Sequence, residues 1–134
     1  MTLNELYDIA VDNDINVFHY PLGSLKSVSV PYNIGIDFKR VNTLAGEKTH
    51  LAHELGHCMT GAFYSDMSFE TRKRMENKAD KWAFRNIIPC TEIKKALAKG
   101  VKELWELADY FDTEVSFVKK AVDYYISQNL FEEV

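Results

Sequence analysis

The chain has 134 residues, 46% of them hydrophobic and 27% charged, with a formal net charge of −4 and a sequence pI near 5.5. A chain of this length buries roughly two-thirds of its unfolded surface on folding, so one domain over residues 1–134 is expected, without disulfide staples. The apolar fraction excludes wholesale disorder, six Gly and three Pro exclude a collagen-like repeat, and no apolar run is long enough to cross a bilayer.

Thr2-Leu-Asn-Glu5 is a capping box, and Leu3, Leu6, Tyr7 and Ala10 follow helical spacing, so residues 3–13 are predicted helical. The rhythm then changes. Segments 15–20, 26–32 and 34–38 are β-rich and partly alternating, broken by Pro21, Gly23 and Asn33, and predict a small antiparallel sheet of three strands with Pro31 and Gly35 marking an edge. From Thr43 onward the pattern is helical, with helices expected over 45–61, 68–87, 91–98, 102–110 and 114–128. The candidate N-caps are Thr43, Ser68, Thr91 and Thr113, and Pro89 and Gly100 act as stops. The fold class is therefore α+β: an N-terminal helix and small sheet followed by a helical body.

Charge is uneven along this order. Residues 1–66 hold four Lys/Arg against eight Asp/Glu, residues 67–100 nine against four, and residues 101–134 three against eight. The basic middle segment reads either as solvated helix faces or as a docking surface for an acidic partner segment. An acidic pI argues against direct contact with nucleic acid. Two cysteines, Cys58 and Cys90, make no disulfide framework, and the first residues lack the basic and apolar regions of a signal peptide, so a reducing cytoplasm is the expected location, with no membrane partner.

His53-Glu-Leu-Gly-His57 is an HExxH motif inside a predicted helix. Four residues turn an α-helix by about 400°, so the two imidazoles leave from nearly the same face and can reach one Zn²⁺, while Glu54 stands about 100° aside as a candidate general base. Glu76 opens Glu76-Asn-Lys-Ala-Asp80 on the next predicted helix. An antiparallel helical hairpin would return Glu76 to the metal as a third ligand. Asp80, one turn further on the same face, would accept the spare ring N–H of His53. Cys58 projects away from His57 and reads as a small hydrophobe. His50 shares the motif face one turn upstream, as either a group at the cleft mouth that polarises a substrate carbonyl or a solvent-facing or locally bonded histidine. Tyr64 either stabilises a tetrahedral intermediate or packs near a helix end. His19 lies in a strand pattern with no chemical role.

Thr49-His-Leu-Ala-His-Glu-Leu-Gly-His57, followed by Glu76-Asn-Lys-Ala-Asp-Lys-Trp-Ala-Phe84 and Asn86-Ile-Ile-Pro89, resembles the ImmA/IrrE metallopeptidases. The resemblance implies a zincin-like fold and a zinc-dependent endopeptidase of phages and mobile elements that acts on a partner helix-turn-helix repressor. Carried over by position, His53, His57 and Glu76 would bind zinc and Glu54 would be the catalytic base. An extended substrate is expected to pair with the sheet edge near Tyr32 to Phe38. Residues 101–128 also read as a helix-turn-helix-like hairpin around Ala108, which leaves a second reading: a DNA-binding or partner-binding regulator with a structural, non-catalytic zinc. The excess of acidic residues there argues against DNA, and Glu54 argues for catalysis.

Overall fold

Thr2 and Glu5 close their capping box and open α1 (Leu3–Asp12), which turns Leu6 and Ala10 inward. There follow β1 (Asn16–His19), β2 (Ser27–Val30), β3 (Asn33–Ile36), α2 (Leu44–Thr60), α3 (Phe69–Ile87), α4 (Cys90–Ala98), α5 (Leu104–Phe111) and α6 (Val115–Ser127), an α+β order. This computed structural model describes residues 1–65 and 68–130. Residues 66, 67 and 131–134, which the expected 1–134 domain includes, lie outside the described residues. No helix among the described residues is long and apolar enough to cross a membrane.

The sheet departs from expectation. Its order is β1-β3-β2; β2 pairs antiparallel with β3, but β1 pairs parallel with β3, from Asn16↔Asn33 to His19↔Ile36. The sheet is therefore mixed rather than antiparallel. Parallel neighbours need a connection of a dozen or more residues, and residues 20–32 supply it with β2 inside the crossover. Pro21 and Gly23 (φ +66°) bend the start of that crossover rather than closing a β1–β2 hairpin. The tight turn is Pro31-Tyr32, where Tyr32 carries a φ of +66° and the Asn33 side-chain amide donates to the Pro31 carbonyl at 3.1 Å. Gly35 consequently lies in the central strand and marks no edge; Leu22 lies over it, and a Cβ there would meet Leu22 at ordinary contact distance.

Alternation along each strand assigns the two faces. Ile34 and Ile36 are buried, and Ser27 and Ser29 point the same way, toward α2, while Phe18, Val28 and Val30 are exposed on the other face. The core runs on through Leu51 and Leu55 of α2, Ile87, Ile88 and Ile93, and Phe117, Val118 and Ala121 of α6. The α5–α6 turn is fastened to three consecutive residues of α2: Lys48 Nζ donates to the Phe111 carbonyl at 2.5 Å, the Glu114 amide donates to Thr49 Oγ1 at 3.0 Å, and His50 Nε2 lies 3.3 Å from Glu114 Oε1.

Thr43 and Ser68 cap α2 and α3 as the sequence predicts. Thr91 and Thr113 do not cap. Pro89 precedes Cys90 at the start of α4, leaving Thr91 inside the helix, and Glu114 takes the N-cap of α6 because its amide is held by Thr49. Thr113 is buried one residue earlier.

Candidate metal centre and active site

Helices α2 and α3 run antiparallel, and their approach is set by a residue with no side chain. A Cβ added to Gly56 would collide with the backbone of Ala79, with Cα and C both at 2.9 Å. Ala79 and Ala83 keep the facing side of α3 equally small. At this separation His53 and His57 on one helix meet Glu76 and Asp80 on the other. The motif's glycine is thus the residue that lets the second helix reach the first, a role that its place inside HExxH conceals.

Glu76 Oε2 accepts from His53 Nε2 at 2.7 Å and from His57 Nε2 at 2.9 Å. His53 Nδ1 donates to Asp80 Oδ1 at 2.7 Å, and His57 Nδ1 donates to the Ala62 carbonyl at 2.5 Å. That carbonyl turns back because Gly61 ends α2 in the left-handed region, φ +69°, where glycine carries no steric penalty. With their Nδ1 atoms engaged, both rings aim Nε2 at the same point, and one ligand atom from each of His53, His57 and Glu76 lies within 4.8 Å of the others. Two imidazole nitrogens and a carboxylate oxygen form a borderline N/O donor set that fits zinc chemistry. These three residues could hold a metal ion.

The electrostatics follow from this geometry. Burial opposes a charged ring at His53, but the hydrogen bonds to Asp80 and Glu76 outweigh it and push the imidazole up to about 10. Burial likewise opposes charge at His57, and Glu76 with the Ala62 carbonyl raises it. Burial works against the Glu76 carboxylate, yet donors from His53, His57 and Tyr64 hold it below the usual carboxylate range. Tyr64 donates its hydroxyl to Glu76 Oε1 at 2.6 Å, which, with burial, raises the phenol to about 12. Tyr64 thus meets the carboxylate of Glu76 directly.

Glu54 is 5% exposed and stands beside the triad, with one oxygen for each of two serines. Ser27 Oγ donates to Oε2 and Ser29 Oγ to Oε1, both at 2.7 Å. Ser27 also meets His50 Nδ1 at 3.1 Å, so His50 is engaged by Ser27 and Glu114. Sequence reasoning missed both serines. The only signal was their alternation in Ser27-Val-Ser-Val30, which reads equally well as the solvent face of an edge strand. A cleft of about 210 Å³ opens here between Leu25 and the Ser27-Val28-Ser29 stretch of β2, Glu54 and His57 of α2, Glu76 of α3, and the Phe63-Tyr64 loop. The edge beside this cleft is β2; segment 32–38, where an extended substrate was expected to pair, holds the central strand β3 and has no free edge.

The remaining candidates lie outside this group. Cys58 is half-buried, its thiol raised to about 11 chiefly by burial, and His19 lies against Phe38 with ring centroids 3.8 Å apart. A larger hollow of 710 Å³ between α1, α2, α4 and α5 contains Lys48 but none of the imidazoles.

The family model of the IrrE N-terminal-like domain, peptidase M78, matches residues 13–123, a span that includes every residue of this site. No curated protein and no solved structure matches the chain.

Proposed function

This chain belongs to the IrrE N-terminal-like domain family of M78 peptidases, and on that premise we propose that it is a zinc-dependent endopeptidase cutting a peptide bond in a partner repressor of helix-turn-helix type. The family is one of metal-dependent peptidases, whose substrates are proteins. The observation that carries the reading is the convergence of His53, His57 and Glu76 on one point with the carboxylate of Glu54 beside it in an open cleft.

His53, His57 and Glu76 would hold the metal, with Asp80 and the Ala62 carbonyl fixing the tautomers of the two imidazoles. When bound, the ion would supply Lewis acidity that makes water nucleophilic near neutral pH. Glu54 takes the proton of the attacking water and returns it to the leaving amide nitrogen. Ser27 and Ser29 keep the Glu54 carboxylate from rotating out of the cleft, and each of its oxygens retains a lone pair for that proton. The substrate lies extended along the free edge of β2, where backbone hydrogen bonds hold a chain with little demand on its side chains.

The test is Glu54→Gln. This variant is expected to keep stoichiometric zinc and to cut a partner repressor about 10²–10⁴-fold more slowly than wild type. Wild-type turnover in the variant, or a purified wild type that binds no zinc, removes the assignment.

A further inference from the structure

Helix α3 carries its cations in a row. At about 100° per residue, Arg74, Lys78, Lys81 and Arg85 fall within about 60° of one another around the axis and extend about 16 Å along it. The opposite side of the helix, at Ala79 and Ala83, is buried against α2. All four cations are exposed, and no ion pair among the described residues involves any of them. The pairs 74/78, 78/81 and 81/85 stand three or four residues apart, the spacing at which like charges weaken a helix. The row therefore costs the fold stability, and no ion pair among the described residues offsets it.

Its location supplies a reason. Lys81 and Lys120 line a groove of about 480 Å³ between α3 and α6 that runs to Glu76 and Asp80 at the metal centre. Arg85 donates to the Tyr124 hydroxyl at 2.9 Å, and Lys81 Nζ sits 5.8 Å from the centroid of the same ring, so the far end of the row is held in place. We propose that the row is an exosite that binds an acidic segment of the protein substrate and delivers the neighbouring segment to the cleft. The nature of what is held rests on the peptidase reading; the binding itself does not. An acidic peptide fits better than nucleic acid because the row is one residue wide and Asp123 stands in the same groove. A phosphate backbone presents continuous negative charge that this carboxylate repels, whereas peptide carboxylates can be spaced around it.

The experiment is fluorescence anisotropy on the zinc-loaded full chain with two labelled probes, a dodecapeptide with glutamate at alternate positions and a thymidine dodecanucleotide, at about 0.05 M and about 0.3 M salt. The peptide is expected to bind, to weaken with salt, and to lose about tenfold or more in affinity in Lys78→Glu/Lys81→Glu. That double variant turns the 74/78 and 81/85 spacings from repulsive to attractive and leaves 78/81 like-charged as before, so its melting temperature and zinc content are expected to hold. Lys78→Gln/Lys81→Gln gives the same direction without new charge. No saturable peptide binding, equal binding by both double variants and wild type, or tighter binding of the oligonucleotide than of the peptide overturns the proposal. A chain that binds the peptide through the row yet cleaves no repressor keeps the exosite and loses the peptidase reading; the reverse result separates them the other way.

Discussion

Two pieces of backbone meet at Glu54, and different physics places them. The α2–α3 pair brings four groups to the site, each two on one helix a single turn apart, so only one tertiary quantity has to be right: how closely the helices approach at Gly56 and Ala79. Strand β2 brings Ser27 and Ser29, which sit 27 and 25 residues from their partner Glu54. Their placement requires the crossover, the pairing with β3 (Ser27↔Ile36, Ser29↔Ile34) and the facing of the sheet all at once. A slip of one residue would turn both serines to the outer face and Val28 and Val30 inward. A site built on helical spacing tolerates much in the rest of the fold; a site built on strand register tolerates little.

Breaking the helix pair is expected to have the largest effect. Gly56→Ala forces α3 away from α2 and should cost about 3 kcal/mol of stability, as overpacking against backbone does, and abolish zinc binding. Thermal melts and metal analysis check both, and a variant that binds zinc as wild type would show that the close approach is dispensable. Next comes Asp80→Asn, which leaves the triad intact but removes the charged acceptor of His53 Nδ1. Zinc affinity should fall about 10–100-fold in a competition titration with a chromogenic chelator, and little change would demote Asp80 to packing.

On the strand side, Ser27→Ala/Ser29→Ala is expected to lower kcat about tenfold with zinc affinity unchanged, and the Thr double variant, which keeps both hydroxyls, should recover most of it. An equal loss of zinc would mean that β2 supports the ligands rather than the base. The smallest effect distinguishes the regions by pH. His53 is raised from 6.5 to about 10, so its contribution to the stability of chelator-treated protein is complete below about 6.5 and lost as pH rises through about 10. Glu76 is lowered, so its contribution is present above its usual range and lost on acidification. Melting temperature without metal should therefore decline by a few degrees from near-neutral to strongly alkaline pH. Zinc affinity should rise with pH over the lower part of that interval, because ligation requires each Nε2 to give up its proton. A flat melting profile would place the imidazole pairing outside the folded state's energetics.

Much of the helical body was readable. Helix limits fall within a residue or two of expectation, since capping by Thr2, Thr43 and Ser68 and the stop at Pro89 act over a single turn. The two misplaced caps fail for different reasons: Pro89 takes the N-cap of α4 and leaves Thr91 inside the helix, whereas Thr113 is buried and Glu114 is drawn to the cap position by Thr49, 65 residues earlier. The sheet was legible as three strands but not as a topology, because alternation is the same in parallel and antiparallel pairs. Its edge was misjudged for the same cause, and with it the place where a substrate could lie.

By itself the sequence determined the intervals: His53 and His57 one turn apart, Glu76 and Asp80 one turn apart, and Glu54 set to one side of the two rings, all consequences of 3.6 residues per turn. Tertiary structure alone decided that Gly56 admits Ala79, that β3 enters between β1 and β2, and that two serines on an edge strand seize the Glu54 carboxylate. Helical spacing is written into local covalent geometry, whereas the choice among distant strand partners is made only when the chain buries one face of its sheet against α2.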